Sequence, residues 1–183
     1  MRLINDSGTY YLIQNGVRHG ITNIGLLTSY GFRLSDAKVA TAADKALPNG
    51  DILLPPDGIL AKTASDKTVW LISASQRRGF TSASVFIALG FKFSQVLVIT
   101  APELSKLSQG ANLDNPNSAH PEGVDIRDGP SIYWIHNNKR DPYPSLQVYN
   151  SWRVPNDFSR VVPANAADRN LPLGDLIVAR VLQ

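Results

Sequence analysis

Apolar and polar positions along this chain fall into one pattern that occurs three times. An apolar run containing an aromatic residue is followed by a turn, an arginine, a bulky residue, a short polar step and an amphipathic segment. The copies are YYLIQNGVRHGITNIGLLTSYG from Tyr10, VWLISASQRRGFTSASVFIALG from Val69 and IYWIHNNKRDPYPSLQVYNSWR from Ile132. Arg18, Arg77 and Arg140 correspond, 59 and then 63 residues apart. A period of that length marks a supersecondary unit used several times.

Within the first copy, Arg2-Leu3-Ile4 and Thr9 to Ile13 flank the turn-rich tetrad Asn5-Asp6-Ser7-Gly8, which predicts a hairpin. Asn15-Gly16 supplies a second tight turn before a third strand, Val17 to Ile21. Thr22 is placed to cap a helix running to Tyr30, with Leu26, Leu27 and Tyr30 on one face and Gly31 as its left-handed stop. Ala42 to Leu47 reads as a second short helix. The second copy predicts strands at Ile59 to Thr63, Thr68 to Ser73 and Arg77 to Phe80. A Thr81-capped helix follows that buries Val85, Phe86 and Leu89, then a strand at Val96 to Ile99 and a helix entered through Pro102. Ala111 to Gly123 reads as a linker with little to bury. The third copy predicts strands at Val124 to Arg127, Ser131 to Ile135 and Lys139 to Tyr143, a helix around Ser145 to Trp152, and a closing strand from Asp175 to Val181. It departs from the others in placing Arg153 at the stop glycine and in accumulating aromatic residues.

Alternation puts Tyr11, Trp70 and Tyr133 on one strand face with Ile13, Ile72 and Ile135, and Leu12, Leu71 and Trp134 on the other. Both faces are apolar, so each strand calls for cover on both sides. The expected fold is α+β: three tandem repeats, each a small antiparallel meander plus one or two short helices. They divide as 1–57, 58–122 and 123–183 and pack together as an array or with pseudo-threefold closure.

Composition narrows the function classes. The 183 residues are 43% apolar, enough for a packed core, and 18 basic against 15 acidic residues leave a formal charge of +3. Arg77-Arg78 and Lys139-Arg140 are isolated pairs without a basic stripe, which disfavours nucleic acid. The absence of cysteine removes disulfides and thiolate chemistry. No apolar run reaches the length of a membrane span, so no membrane insertion is expected. The segment from Met1 has no signal-peptide apolar region, and the chain is read as beginning inside a longer mature protein.

The order aromatic-x-Ile, turn, basic-Arg, Ser/Thr, helix ending in Gly-Phe, Val-x-Val, Leu and Pro-x-Gly resembles short tandem repeats of secreted and cell-surface bacterial proteins. The match is best over Trp70 to Leu107 and weakest over Tyr143 to Asn170. Such repeats often accompany hydrolase or peptidase domains. The resemblance implies an accessory extracellular module, with cell-wall or other polysaccharide as its partner, and carries over no catalytic residue.

Candidate chemistry centres on Arg18, Arg77 and Arg140. Each could offer a guanidinium to a carboxylate or phosphate of a surface polymer, or could hold a turn or an acidic neighbour within the fold. Trp134 and Tyr143 are candidate sugar platforms, Tyr143 because flanking prolines should leave it exposed. Tyr149 and Trp152 fall at core positions by spacing. His19, His120 and His136 lack metal-ligand spacing. Asp114, Asn117, Glu122, Asp125 and Asp128 could gather around calcium, although solvated loop carboxylates are the plainer reading. Glu103 and Glu122 are the only glutamates, and no nucleophile elbow, phosphate loop or dinucleotide fingerprint is present. No cofactor is expected. The resulting expectation is non-catalytic attachment of a larger exported protein to an envelope polymer. A structural or self-assembling surface element and a glycan hydrolase are the alternatives.

Overall fold

The computed structural model describes residues 1–181. In the first unit, β1 (Arg2–Asp6) and β2 (Thr9–Gln14) form the expected hairpin. Ser7 and Gly8 turn it in the left-handed region, and the Asn5 side chain accepts from the Gly8 N–H. Asn15 and Gly16, both at positive φ, turn the chain into β3 (Val17–Gly20). Helix α1 (Ile24–Ser29) then carries it back across the sheet to β4 (Lys38–Val39), which lies parallel to β1, and α2 (Ala42–Lys45) follows. The sheet order is β3-β2-β1-β4.

The same sequence of elements follows twice more. The second unit holds β5 (Leu60–Thr63), β6 (Trp70–Ser73), β7 (Gln76–Gly79), α3 (Ala83–Ala88), β8 (Leu97–Ile99), α4 (Ala101–Ser105) and β9 (Ser108–Gln109), with sheet order β8-β5-β6-β7-β9. The third holds β10 (Asp125–Asp128), β11 (Ser131–His136), β12 (Lys139–Pro142), α5 (Leu146–Trp152), β13 (Val162–Pro163) and α6 (Ala166–Asn170), with order β12-β11-β10-β13. Three small sheets with few short helices, in three similar units, make this an α+β chain.

Two sequence expectations move when the backbone is seen. The first helix of each unit is capped by Asn23, Ser82 and Ser145, whose side chains accept from Leu26, Val85 and Val148 N–H. Thr22 and Thr81 stand one residue too early to reach those donors. Thr22 instead donates to Glu103, and Thr81 to the Leu113 carbonyl. The strand expected over 175–181 does not form, because the segment leaves the β12 edge of the third sheet at Ile177 and then crosses α5. It is held by single bonds: Ile177 N–H to the Pro142 carbonyl, Trp152 Nε1–H to the Val178 carbonyl, and Arg180 N–H to Ser151 Oγ. The last two residues of the third expected repeat lie outside the described residues.

Burial is shared between units, as the two-sided apolar strands require. Leu12 with Ile13, and Leu71 with Ile72, are consecutive buried pairs. One cluster joins Leu60, Leu71, Phe86 and Phe91 of the second unit to Val124, Ile126 and Val162 of the third. Another is built on Leu3, Leu12, Leu26, Leu27 and Phe32 of the first, with Leu97 of the second against it. The stretch expected to be an unburied linker also contributes: Leu113 is 5% and His120 3% exposed. The first unit reaches the third as well, since Arg180 Nη1 donates to the Tyr30 carbonyl. Every unit therefore touches both others, which gives a closed cluster instead of a row.

The connectors meet at the centre of this cluster. Gly58 and Gly123, at φ +86° and +93°, run so close that a Cβ on either would strike the other connector's backbone. Gly129 also has positive φ but faces open space. Gly129→Ala is expected to cost about 1 kcal/mol from φ alone. Gly58→Ala should cost at least about 2 kcal/mol more, because the clash adds to the strain. Urea denaturation of the two variants measures the difference.

Candidate functional site

The recurring arginines occupy one environment in all three units. Arg18 lies over the Tyr11 ring, Arg77 over Trp70 and Arg140 over Tyr133, with the guanidinium carbon 5.1, 5.1 and 5.3 Å from the ring centroid. Each is directly across the strand pair from the residue two beyond its ring, in the registers Ile13↔Arg18, Ile72↔Arg77 and Ile135↔Arg140. Each side chain also holds the unit's second helix or the segment just after it. Arg18 Nε donates to Asn49 Oδ1 at 2.6 Å, Arg77 Nη1 to the Leu104 carbonyl at 3.2 Å and Arg140 Nε to the Leu171 carbonyl at 3.2 Å. Arg140 additionally pairs with Asp128 at 3.7 Å. The three sit on three separate sheets, each half-buried and engaged with its own unit.

A second recurring feature is a carboxylate that caps the second helix from inside the protein. Asp44, Glu103 and Asp168 are 3%, 0% and 0% exposed. Each accepts the N–H of the cap residue, Thr41, Thr100 or Asn165, whose side chain accepts in return. The other carboxylate oxygen finds a different partner each time. Asp44 pairs with Arg2, Glu103 accepts from Thr22 of the first unit at 2.6 Å, and Asp168 Oδ1 accepts from the His120 backbone N–H at 2.7 Å, while the His120 ring Nδ1 lies 2.7 Å from Oδ2. Since His120 Nε2 faces the Leu89 carbonyl at 2.7 Å, the ring ties the third unit's helix start to the second unit's helix end. Glu103, with both oxygens engaged and no exposure, has no face toward a cleft.

The third unit breaks the pattern in a spatially connected set of positions. The facing pairs Leu3↔Leu12 and Leu60↔Leu71 become Asp125↔Trp134. Ile21 and Phe80, whose N–H groups close the ends of β3 and β7, are matched by Tyr143, and the stop glycines Gly31 and Gly90 by Arg153. These changes lock together. Arg153 Nε and Nη2 donate to the two Asp125 oxygens at 2.6 and 2.9 Å, and the Tyr143 hydroxyl donates to Asp125 Oδ1 at 3.0 Å. Burial opposes the Arg153 charge, but the Asp125 carboxylate more than offsets it and holds Arg153 above its ordinary pKa. Burial, then Asp125, raises the Tyr143 phenol. Tyr143 is thus a half-buried hydrogen-bond donor, not the exposed platform its prolines suggest. Asp125 is 6% exposed and ion-paired, not a solvated loop carboxylate.

Asp125, Trp134, Tyr143 and Arg153 line a cavity of about 330 Å³ at the junction of all three units. The first unit adds Tyr30, the first connector Asp57 to Ile59, the second Gly123, and the C-terminal segment Ile177 and Arg180. Arg160 and Trp152 also line the wall. That volume lies at the lower end of the roughly 300–1,000 Å³ of small-molecule sites. Burial drives the Arg180 pKa down to about 10, helped by the nearby positive charge of Arg153, and burial likewise lowers Arg160. The Tyr30 phenol is pushed up to about 12 by burial and by Asp57.

Of the ligand-binding candidates named from sequence, Trp134 and Tyr143 reach this cavity and Arg18, Arg77 and Arg140 do not line it; Trp152, assigned to the core by its spacing, lines it too. The sequence reading missed Arg160 and Arg180. Its available signal was departure from the repeat, which Arg153, Asp125 and Trp134 all show. The five acidic or amide residues around the linker do not converge: Asp125 is on Arg153, Asp128 on Arg169 at 3.0 Å, and Glu122 on His136. Among the described residues no group of three histidines or carboxylates is placed to hold a metal ion. None of the described helices is long and apolar enough to cross a membrane.

No protein-family model matches the chain, and no curated protein matches it. It is similar to a chain in a solved structure of the periplasmic assembly from the ESX-5 inner membrane complex, at 12% identity and a TM-score of 0.26. It is similar also to a chain in an intact ESX-5 inner membrane complex, at 15% identity and a TM-score of 0.25. The alignments take in 96% and 99% of this chain but 63% and 52% of those chains, a likeness too slight to carry a fold or a function.

Two expectations follow from the buried carboxylates. Thr22→Val leaves one Glu103 oxygen without its donor and should destabilise the protein by about 1–3 kcal/mol in urea titrations. Asp44 is held at about 2, chiefly by the Thr41 backbone and hydroxyl donors and then by Arg2, against an ordinary value of 3.8. A carboxylate held low stabilises the fold fully above 3.8, and that contribution disappears as pH falls toward 2. Asp44→Asn should therefore be less stable at neutral pH and lose less further stability than the parent between pH 4 and pH 2, read as the shift in urea midpoint.

Proposed function

We propose that this chain is a non-catalytic extracellular module that attaches a larger exported protein to a bacterial envelope polymer, a cell-wall or other polysaccharide. In this reading the group recognised on the polymer enters the central cavity. The observation that carries the reading is the coordinated replacement of core positions in the third unit by Asp125, Trp134, Tyr143 and Arg153, all of which face one cavity. A repeat needs none of these for folding, because the first two units fill the same places with leucine, isoleucine or phenylalanine, and glycine. The likeness of the repeated pattern to tandem repeats of secreted and cell-surface bacterial proteins supports this choice of compartment and partner. The repeated arginines serve this module as supports of its sheets.

Retention on purified peptidoglycan and on a panel of insoluble glycans tests the reading. The intact protein is expected to be retained on at least one. Trp134→Ala should abolish that retention, whereas Arg18→Ala, assayed below its melting temperature, should keep it. Passage of the intact protein through every matrix would remove the attachment reading.

A self-assembling surface element has one feature in its favour. Leu173, Leu176, Val178 and Val181 are 61–82% exposed along the C-terminal segment. Light scattering that rises with concentration, and falls for Leu176→Ser with Val178→Ser, would support this second reading.

A further inference from the structure

The charge inside the central cavity is unbalanced. Arg153 is already neutralised, because its Nε and Nη2 are both on Asp125. Arg160 and Arg180 are in no ion pair among the described residues. Arg160 has one long hydrogen bond, Nη2 to Thr28 Oγ1 at 3.5 Å. Arg180 donates through Nη1 to the Tyr30 carbonyl at 2.8 Å, while its buried Nε has no partner among the described residues. The Phe32 and Trp152 rings, 4.8 and 5.6 Å from the Arg180 guanidinium carbon, give that cation some electrostatic relief.

Two half-buried guanidiniums that share a cavity wall and the influence of Arg153, with no ion-pair partner among the described residues, are costly to hold, and Asp157 for Arg160 and Asp36 for Arg180 act on them only without a direct bond. The remaining carboxylate of the wall is poorly suited to offset them. Burial disfavours the charged form of Asp57, Glu122 adds to that, and its Oδ1 is engaged by the Ser75 N–H at 2.8 Å. The rest of the lining is largely apolar, with Ile59, Trp134, Trp152 and Ile177 contributing. A bare hydrated ion would lose its water there without gaining much contact, whereas an organic anion would place its body against those side chains.

We infer that the cavity is an oxyanion site, in which Arg160 and Arg180 receive the carboxylate or phosphate of a compact organic acid such as an acidic or phosphorylated sugar unit. This rests on the reading of the cavity as the binding site and adds the chemical class that it selects. Arginine is suited to the task because its planar donors match two oxygens of one anion at once. The bound anion would complete the charge pattern that Asp125 provides for Arg153.

The test titrates the full chain with glucuronic acid, glucose 6-phosphate, glucose and inorganic phosphate. Binding is read from the fluorescence of Trp134 and Trp152 in the cavity wall and from the melting temperature. At least one of the two anionic sugars is expected to bind at least about tenfold more tightly than glucose, and more tightly than inorganic phosphate. Their relative order identifies carboxylate or phosphate as the source. Arg160→Met and Arg180→Met should each weaken that binding by about tenfold or more. If Arg180→Met fails to fold, Arg160→Met decides. Glucose binding as well as the anions, anion binding that survives both substitutions, or the absence of binding by any probe would each overturn the inference. Retention on a glycan matrix with no anion response leaves the attachment reading standing and sinks this one. An anion response lost in the arginine variants, without retention on any matrix, does the reverse.

Discussion

Three carboxylates removed from water set the terms for this molecule. Asp44, Glu103 and Asp168 each sit at the start of a short helix, and each must have every oxygen matched by a donor, because an unmatched buried carboxylate costs far more than so short a helix can return. The cap residue supplies the local donors. The distant donor determines what else is fixed: Arg2 ties α2 to β1 of the first sheet, Thr22 brings the first unit onto the second, and His120 draws the connector and the end of α3 onto the third. Packing of Leu60, Phe86 and Phe91 against Ile126 and Val162 then has one relative placement to satisfy, and the junction between units acquires a definite shape.

Recurrence and departure from it carry different information here. The stacked pairs Arg18 on Tyr11, Arg77 on Trp70 and Arg140 on Tyr133 recur because each fastens the second helix, or the chain just after it, to its own sheet. A residue needed by the fold in every unit has little freedom left for a ligand. The third unit's exceptions differ in kind. Asp125 in place of a buried leucine would be ruinous alone, and so would Arg153 in place of a glycine, yet together with the Tyr143 hydroxyl they satisfy one another.

Much of the architecture was legible in the sequence, for local reasons. Asn15-Gly16 and Gly31 specify backbone that few other residues tolerate, and the spacing of Val85, Phe86 and Leu89 can bury only one helix face. The helix caps were misplaced by one residue because Thr22 and Asn23, or Thr81 and Ser82, are equally good caps until the backbone shows which side chain reaches the third N–H. The extended segment after Leu173 was misread because its apolar residues, such as Val178, are exposed along α5 and not paired in a ladder. At the site, Trp134 and Tyr143 were legible as unusual aromatics, and Arg153 as an intruder at a glycine position. Arg160 and Arg180 were not, since nothing local distinguishes an arginine that will face a cavity from one that will face solvent. Only the meeting of Tyr30, Gly58 and Gly123 with the C-terminal segment makes that distinction.

The close contact of Gly58 with Gly123 has a bearing on how such a molecule could change over time. Two hinges that touch backbone to backbone cannot open independently, so the units are bound to move as a set or not at all. A fourth unit could not be spliced between them, nor one withdrawn, without dismantling the chamber they enclose. The number of units is thereby fixed by geometry, in contrast to linear arrays that lengthen or shorten at little cost.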